Sequence, residues 1–129
     1  MASKEYTPNA AQVLACAAKV SHKLHIGYIG TEHILIGMLQ EGNGVAGQVL
    51  MDNGVSEDKI MDMIQELISP ENGLAIMERD GYSPKAREVL AGAHEQAEHF
   101  HSEKTGTEHL LLSMIMLGDS VAVRLLNTL

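Results

Sequence analysis

The sequence predicts an all-α protein built from two copies of one helical unit. The tetrapeptide Gly-Thr-Glu-His occurs at residues 30–33 and again at 106–109, an offset of 76 in a chain of 129 residues. At the same offset, residues 6–50 align with residues 82–126 without a gap. The apolar content of 45% is mostly aliphatic, with one Phe, three Tyr and no Trp. That composition suits packed helices better than a sheet.

The first helix of each copy has a matching start signal. Thr7-Pro8 and Ser83-Pro84 both place a hydroxyl residue directly before a proline. This pair is typical of an N-cap followed by the first helical position. Apolar residues then recur at intervals of three and four, which predicts helices over residues 8–24 and 84–100.

The second helices begin at the duplicated tetrapeptides. Thr31 and Thr107 are predicted to be N-caps, with helices over residues 32–41 and 108–117. The glutamate that follows each threonine then lies in the first turn, where the helix dipole favours an anion. The histidine after it is expected to be an interior or capping residue.

A short third helix is predicted in both copies, over residues 45–52 and 121–128. Gly54 ends the first of them. Ser56 then caps an amphipathic fourth helix over residues 57–68. The second copy ends after its third helix and has no counterpart of this fourth one. We therefore expect the chain to be a fragment of something longer.

The domain organisation follows from the repeat. Residues 1–129 are predicted to form a single domain, with repeat one over 6–68, a linker over 69–81 and repeat two over 82–129. The apolar stripes predict a core that includes Val13, Leu14, Ala17, Leu35, Leu39, Leu50, Ile64, Val89, Leu90, Ala93, Leu111, Ile115 and Leu126.

Charge and composition exclude several classes of function. The formal net charge of −8 argues against binding a nucleic-acid backbone, which requires clustered Lys and Arg. No signal peptide and no apolar run near a membrane-spanning length occurs in the sequence, so we expect a cytoplasmic protein with no membrane contact. Cys16, the only cysteine, excludes an internal disulfide and is predicted to be a buried, inert thiol.

No catalytic, metal or cofactor motif is present. The chain lacks a phosphate-binding Gly-rich loop, a nucleophile elbow and a cysteine cluster, and its seven histidines show no zinc-ligand spacing. We therefore predict a protein that is not an enzyme and that holds neither metal nor cofactor.

The duplicated turn permits two interpretations. Threonine and glutamate at a helix start have a sufficient structural reason in capping and the dipole. Alternatively, exposed N–H groups that favour an anion stand beside a carboxylate that favours a cation. A small ligand that carries both charges would suit this mixture.

The pattern Thr-Pro, Gly-Thr-Glu-His, Gly-Val-Ala of repeat one occurs in repeat two as Ser-Pro, Gly-Thr-Glu-His, Ser-Val-Ala. This pattern resembles the Clp N-terminal domain, which contains two such repeats. The stretch over residues 30–50 resembles most closely the version found on ClpC-type AAA+ unfoldases of Gram-positive bacteria. The resemblance implies two four-helix repeats in one compact domain. It also implies a module that sits on the ATPase ring of its parent chain and receives substrate proteins and adaptors such as MecA.

The resemblance further implies two sites for phosphoarginine, a degradation mark. By this resemblance, Glu32 and Glu108 match the family's glutamates that bind the guanidinium group. Phosphate contacts would come from helix N-termini around Thr7, Thr31, Ser83 and Thr107, with Lys85 or Arg87 adding positive charge. The alternative hypothesis is a stand-alone regulatory protein, or a small-molecule-binding protein, on the same scaffold.

Overall fold

The computed structural model describes residues 5–23, 27–67, 81–118 and 121–128. Regular secondary structure in these ranges is entirely helical apart from two isolated β-bridges, which confirms the predicted fold class. The described helices are α1 (Pro8–Lys23), α2 (Thr31–Glu41), α3 (Val45–Asp52), α4 (Glu57–Leu67), α5 (Pro84–His99), α6 (Thr107–Leu117) and α7 (Val121–Thr128). The predicted linker lies outside the described residues except for Gly81.

The predicted caps of the first helices are confirmed by their hydrogen bonds. The hydroxyl oxygen of Thr7 accepts the Ala10 N–H at 3.1 Å. That of Ser83 accepts the Ala86 N–H, also at 3.1 Å. Each bond satisfies one of the N–H groups that a helix start leaves without an intrahelical partner. The matching caps explain why α1 and α5 begin at equivalent prolines, Pro8 and Pro84.

Helix α2 is the centre of the molecule. Every residue from Thr31 to Leu39 is buried, and α2 packs against α1, α3, α4, α5 and α7. A helix that is apolar and buried on all sides is a core helix rather than a surface one. Its counterpart α6 is buried at most positions as far as Met114, and Ile115, Met116 and Leu117 at its end are exposed.

Helices α1 and α2 approach closely at a residue without a side chain. A Cβ added to Gly37 would overlap the carbonyl oxygen of Val13. The equivalent residue of repeat two is Ser113, whose hydroxyl donates to the Val89 carbonyl at 2.8 Å. Space for this hydroxyl comes from Gly92 on α5, because a Cβ added there would overlap Ser113 Oγ. The equivalent helix pairs α1–α2 and α5–α6 therefore make different contacts at the position where their helices approach.

Most of the predicted core is confirmed. The buried members are Val13, Ala17, Leu35, Leu39, Leu50, Ile64, Val89, Ala93 and Leu111. Leu14, Leu90 and Leu126 are only half-buried, although they pack against the core. Cys16 was expected to be buried but is half-buried, because it lies at the edge of the α1 stripe formed by Val13, Ala17 and Val20.

The prediction for Ile115 is wrong, since 53% of its surface is exposed. Its counterpart in repeat one, Leu39, is only 8% exposed and belongs to the same core cluster as Ile60 and Ile64 of α4. Helix α4 packs against α2, and among the described residues no helix takes this place over the end of α6. Burial at this position depends on that packing and not on the helical pattern.

Candidate functional site

The helix starts of the two repeats meet in crossed pairs. The Thr7 N–H donates to the carbonyl of Thr105 at 2.9 Å, which places the start of α1 beside the start of α6. In the same way, the Ser83 N–H donates to the carbonyl of Ile29 at 2.9 Å and places the start of α5 beside α2. Both isolated β-bridges lie at these crossings. Each candidate site is consequently built from both repeats.

The N-caps of α2 and α6 are Gly30 and Gly106, not the threonines predicted. The third helical residue closes each cap, because Nδ1 of His33 accepts the Gly30 N–H at 2.8 Å. His109 makes the same bond to Gly106, also at 2.8 Å. The prediction of interior or capping histidines is confirmed. The threonines occupy the first helical position and are available for another contact.

That contact reaches across the molecule. Thr107 Oγ1 accepts the N–H of Ala46, at the start of α3 in repeat one, at 3.1 Å. Thr31 Oγ1 accepts the N–H of Ala122, at the start of α7 in repeat two, at the same distance. Gly44, the N-cap of α3, has no side chain that could do this. Each threonine therefore caps the third helix of the opposite repeat and ties the halves together.

Replacement of Thr107 by valine should destabilise the fold by about 1–2 kcal/mol. Valine keeps the shape but leaves the Ala46 N–H buried without an acceptor, and a lost cap or hydrogen bond costs this much. Urea denaturation would give the free energy of unfolding. Thr107→Ser is the matched control, since it retains the hydroxyl and should remain close to wild type. A loss in Thr107→Val no larger than that in Thr107→Ser would contradict the capping role of the hydroxyl.

The glycine and glutamate of each tetrapeptide are linked by a close approach. A Cβ on Gly30 would lie 2.5 Å from a carboxylate oxygen of Glu32, and one on Gly106 would lie 2.5 Å from that of Glu108. Both carboxylates thus fold back over the helix start. Neither glycine has a positive φ, so a side chain at either position would conflict with the present position of the glutamate and not with the backbone conformation.

The first candidate site surrounds Glu32. A cavity of about 280 Å³ opens between α2 and α5, and its lining includes Tyr28, Thr31, Glu32, Ser83, Lys85 and Glu88. Four of these residues were predicted from the sequence. Only 3% of Glu32 is exposed. Among the described residues, no lysine, arginine or histidine forms an ion pair with its carboxylate.

Burial sets the electrostatics of this site. Desolvation raises the pKa of Glu32, and a hydrogen bond from backbone N–H opposes this only in part. The pKa of the Tyr28 phenol is also raised, first by burial and then by the nearby Glu32 charge. Lys85 lies 3.7 Å from Glu88 on the same helix. A buried carboxylate without an ion-pair partner among the described residues favours a cationic ligand group.

The second candidate site is more open. It contains Thr7, Thr107 and Glu108, which the pairing of α1 with α6 brings to the same end of the molecule. Glu108 is exposed, whereas Thr107 is only 2% exposed because its side chain faces α3. The structure therefore divides the predicted residues into two unequal groups.

Tyr28 and Glu88 line the first site but were not predicted from the sequence. Tyr28 precedes the duplicated tetrapeptide by two residues, yet its counterpart in repeat two is Lys104, so the repeat comparison gave no signal. Glu88 lies one turn after Ser83-Pro84, and its proximity to α2 arises only from the crossed pairing.

We also searched the described part of the chain for metal sites and for membrane-spanning helices. No group of three His, Cys, Asp or Glu side chains there could hold a metal ion. None of the helices in these ranges has the length and apolar character to cross a membrane.

Residues 5–129 match the family described as the Clp repeat N-terminal domain, and the chain belongs to this family. The solved N-terminal domain of the caseinolytic protease associated chaperone ClpD from Arabidopsis thaliana has the same fold. It superposes with a TM-score of 0.80 at 19% identity, over 96% of this chain and 86% of that one.

Curated relatives are much longer proteins. The negative regulator of genetic competence ClpC/MecB of Bacillus subtilis is 36% identical over 124 residues, which cover 96% of this chain and 15% of that protein. The Clp protease ATP-binding subunit ClpC of Staphylococcus epidermidis is 35% identical over 95% of this chain and 15% of its own length. The chaperone protein ClpB of Oceanobacillus iheyensis is 36% identical, with 96% and 15% covered. The chain thus spans 15% of these relatives.

Proposed function

We propose that this chain is a non-catalytic binding module of a Clp-type unfoldase that recognises proteins marked with phosphoarginine. The observation that carries the proposal is Glu32, a carboxylate that is 3% exposed, lines a cavity and forms no ion pair with any described residue. The backbone hydrogen bond and the helix dipole offset only part of the cost of burying this charge, and a cationic ligand group would offset more of it. The guanidinium of an arginine side chain is the cation that pairs with a carboxylate through two hydrogen bonds.

The rest of the first site suits the phosphate of the same side chain. The starts of α2 and α5 meet there, and helix N-termini attract anions through their N–H groups and dipole. Ser83 and Lys85, at the start of α5, add a hydroxyl and a positive charge to the lining. A ligand with adjacent cationic and anionic groups fits this arrangement. Free phosphate has no cationic group to pair with Glu32 and would be repelled by its carboxylate.

The proposed partners follow from the family. Relatives of this chain include ATP-binding subunits of Clp proteases. We infer that the module delivers marked substrates to the AAA+ ring of a parent chain in the cytoplasm and accepts adaptor proteins of the MecA kind. Two sites in one domain would hold a multiply marked protein more tightly than either alone, through effective concentration.

Replacement of Glu32 by glutamine should weaken phosphoarginine binding by about 10- to 150-fold. Loss of a hydrogen bond to a charged partner costs roughly 1.5–3 kcal/mol, which corresponds to that range. Glutamine keeps the shape above Gly30 and removes the desolvated charge, so the melting temperature should remain equal or rise. Calorimetric titration with free phosphoarginine, beside thermal melts, measures both quantities.

Arginine and inorganic phosphate are the ligand controls, and Glu108→Gln is the matched variant in the second site. Arginine alone should bind more weakly than phosphoarginine, because it lacks the group that the helix starts attract. Unchanged affinity in a double Glu32→Gln, Glu108→Gln variant would contradict the proposal. It would leave both glutamates with capping roles only.

A further inference from the structure

The two candidate sites differ at the residue two positions before the duplicated tetrapeptide. Tyr28 occupies this position in the first site and lines its cavity. Lys104 occupies it in the second site and is exposed. An aromatic ring in one repeat is thus exchanged for a positive charge in the other.

Tyr28 is held in place from two sides. Ser21 Oγ, itself 4% exposed, donates to the backbone carbonyl of Tyr28. The Tyr28 ring meets the His33 ring edge-on, with 6.0 Å between the ring centroids. Since His33 is buried and fixed by its bond to Gly30, the tyrosine ring packs against a side chain that is itself held in place.

A fixed aromatic face beside a buried carboxylate is a recognised arrangement for binding a planar cation. The guanidinium group stacks on tyrosine faces while its edge donates hydrogen bonds to a carboxylate. Tyr28 and Glu32 line the same cavity and are close enough for the Glu32 charge to act on the phenol. The first site can therefore bind both the face and the edge of one guanidinium.

The second site differs in both features. The aromatic ring beside its cap histidine is Phe100, which stacks on His109 with 6.5 Å between the ring centroids but is 57% exposed. Glu108 is exposed to water, which weakens its pairing with any cation. Lys104 offers no aromatic face and adds a charge of the same sign as a guanidinium. Asn9, the counterpart of Lys85, carries no charge for a phosphate.

We propose that Tyr28 determines the specificity of the first site for guanidinium-bearing ligands, and that the exchange to Lys104 makes the second site the weaker of the two. This inference rests on the proposed function, because it takes phosphoarginine as the ligand. It predicts that the domain has one dominant site despite its internal repeat.

The test is calorimetric titration of the wild-type chain, Tyr28→Leu, Tyr28→Phe and Lys104→Tyr with free phosphoarginine and with inorganic phosphate. Tyr28→Leu should weaken phosphoarginine binding by about 3- to 30-fold, the range expected for a cation–π contact. Binding of inorganic phosphate should not change, because phosphate makes no use of the ring. Tyr28→Phe, which keeps the aromatic face, should stay within about two-fold of wild type on the same reasoning.

The affinity of the second site is measured in a Glu32→Gln variant, in which the first site is weakened and the residual binding comes from the site at Glu108. Lys104→Tyr should strengthen this residual binding by a factor within the same range of about 3- to 30-fold. Equal affinities of the two sites in wild type, or a Tyr28→Leu variant that binds phosphoarginine normally, would overturn the inference and leave the proposed function intact. Absence of any phosphoarginine binding in wild type would overturn the proposed function and this inference with it. Thermal melts identify any variant that fails to fold. If Tyr28→Leu does not fold, the effect of Lys104→Tyr on the second site, with Tyr28→Phe as the control, tests the inference.

Discussion

Truncation of Leu35 to alanine is expected to lower the free energy of unfolding by about 2–5 kcal/mol. Leu35 is fully buried near the middle of α2, the helix that contacts elements of both repeats. The deleted side-chain atoms leave a cavity that the helices packed against α2 can close only in part. Urea denaturation, analysed by midpoint and slope, measures the loss.

Ile115→Ala is the matched control, because it removes a similar side chain at a position that is 53% exposed. Its effect should stay below about 0.5 kcal/mol, as for most surface substitutions. A Leu35 loss no larger than that of Ile115 would mean that α2 is not the packed centre of the fold.

Acidification should destabilise the protein by about 3 kcal/mol through His33 alone. Burial lowers the pKa of His33 from the ordinary 6.5 to about 4. Between these pH values the unfolded chain binds a proton at this residue and the folded chain does not, so stability falls as pH falls from 6.5 toward 4. A shift of this size corresponds to the quoted energy. Protonation would also remove the Nδ1 acceptor for the Gly30 N–H.

Glu32 acts in the opposite direction. Because burial raises its pKa, folded Glu32 retains a proton at pH values where the unfolded chain has released it, so acidification through that window stabilises the fold. Free energies of unfolding measured from pH 7 to pH 4 should therefore decline less in His33→Gln than in wild type. They should decline more in Glu32→Gln. Parallel curves for His33→Gln and wild type would contradict the assignment to His33. Glutamine is chosen since its side-chain oxygen can accept the same cap hydrogen bond.

The helix starts and the two-fold repetition were predictable from the sequence because they depend on local chemistry. A hydroxyl residue before proline specifies a start whatever lies elsewhere, and α1 and α5 begin where Pro8 and Pro84 predict. The stripe of α1 likewise predicted burial of Val13 and Ala17. Glu32 and Glu108 were identified as site candidates in the same way, from a turn that occurs twice.

The tertiary structure alone decided what those two turns became. Thr31 and Thr107 have the same neighbours in sequence, yet their acceptor oxygens serve helices 91 and 61 residues away, which no local pattern encodes. Glu32 is buried and Glu108 is exposed, although both follow Gly-Thr. Leu39 is covered by α4, whereas its counterpart Ile115 is exposed. Local hydrogen bonding fixes where a helix begins, but burial is set by the elements that pack against it, and these come from distant parts of the chain.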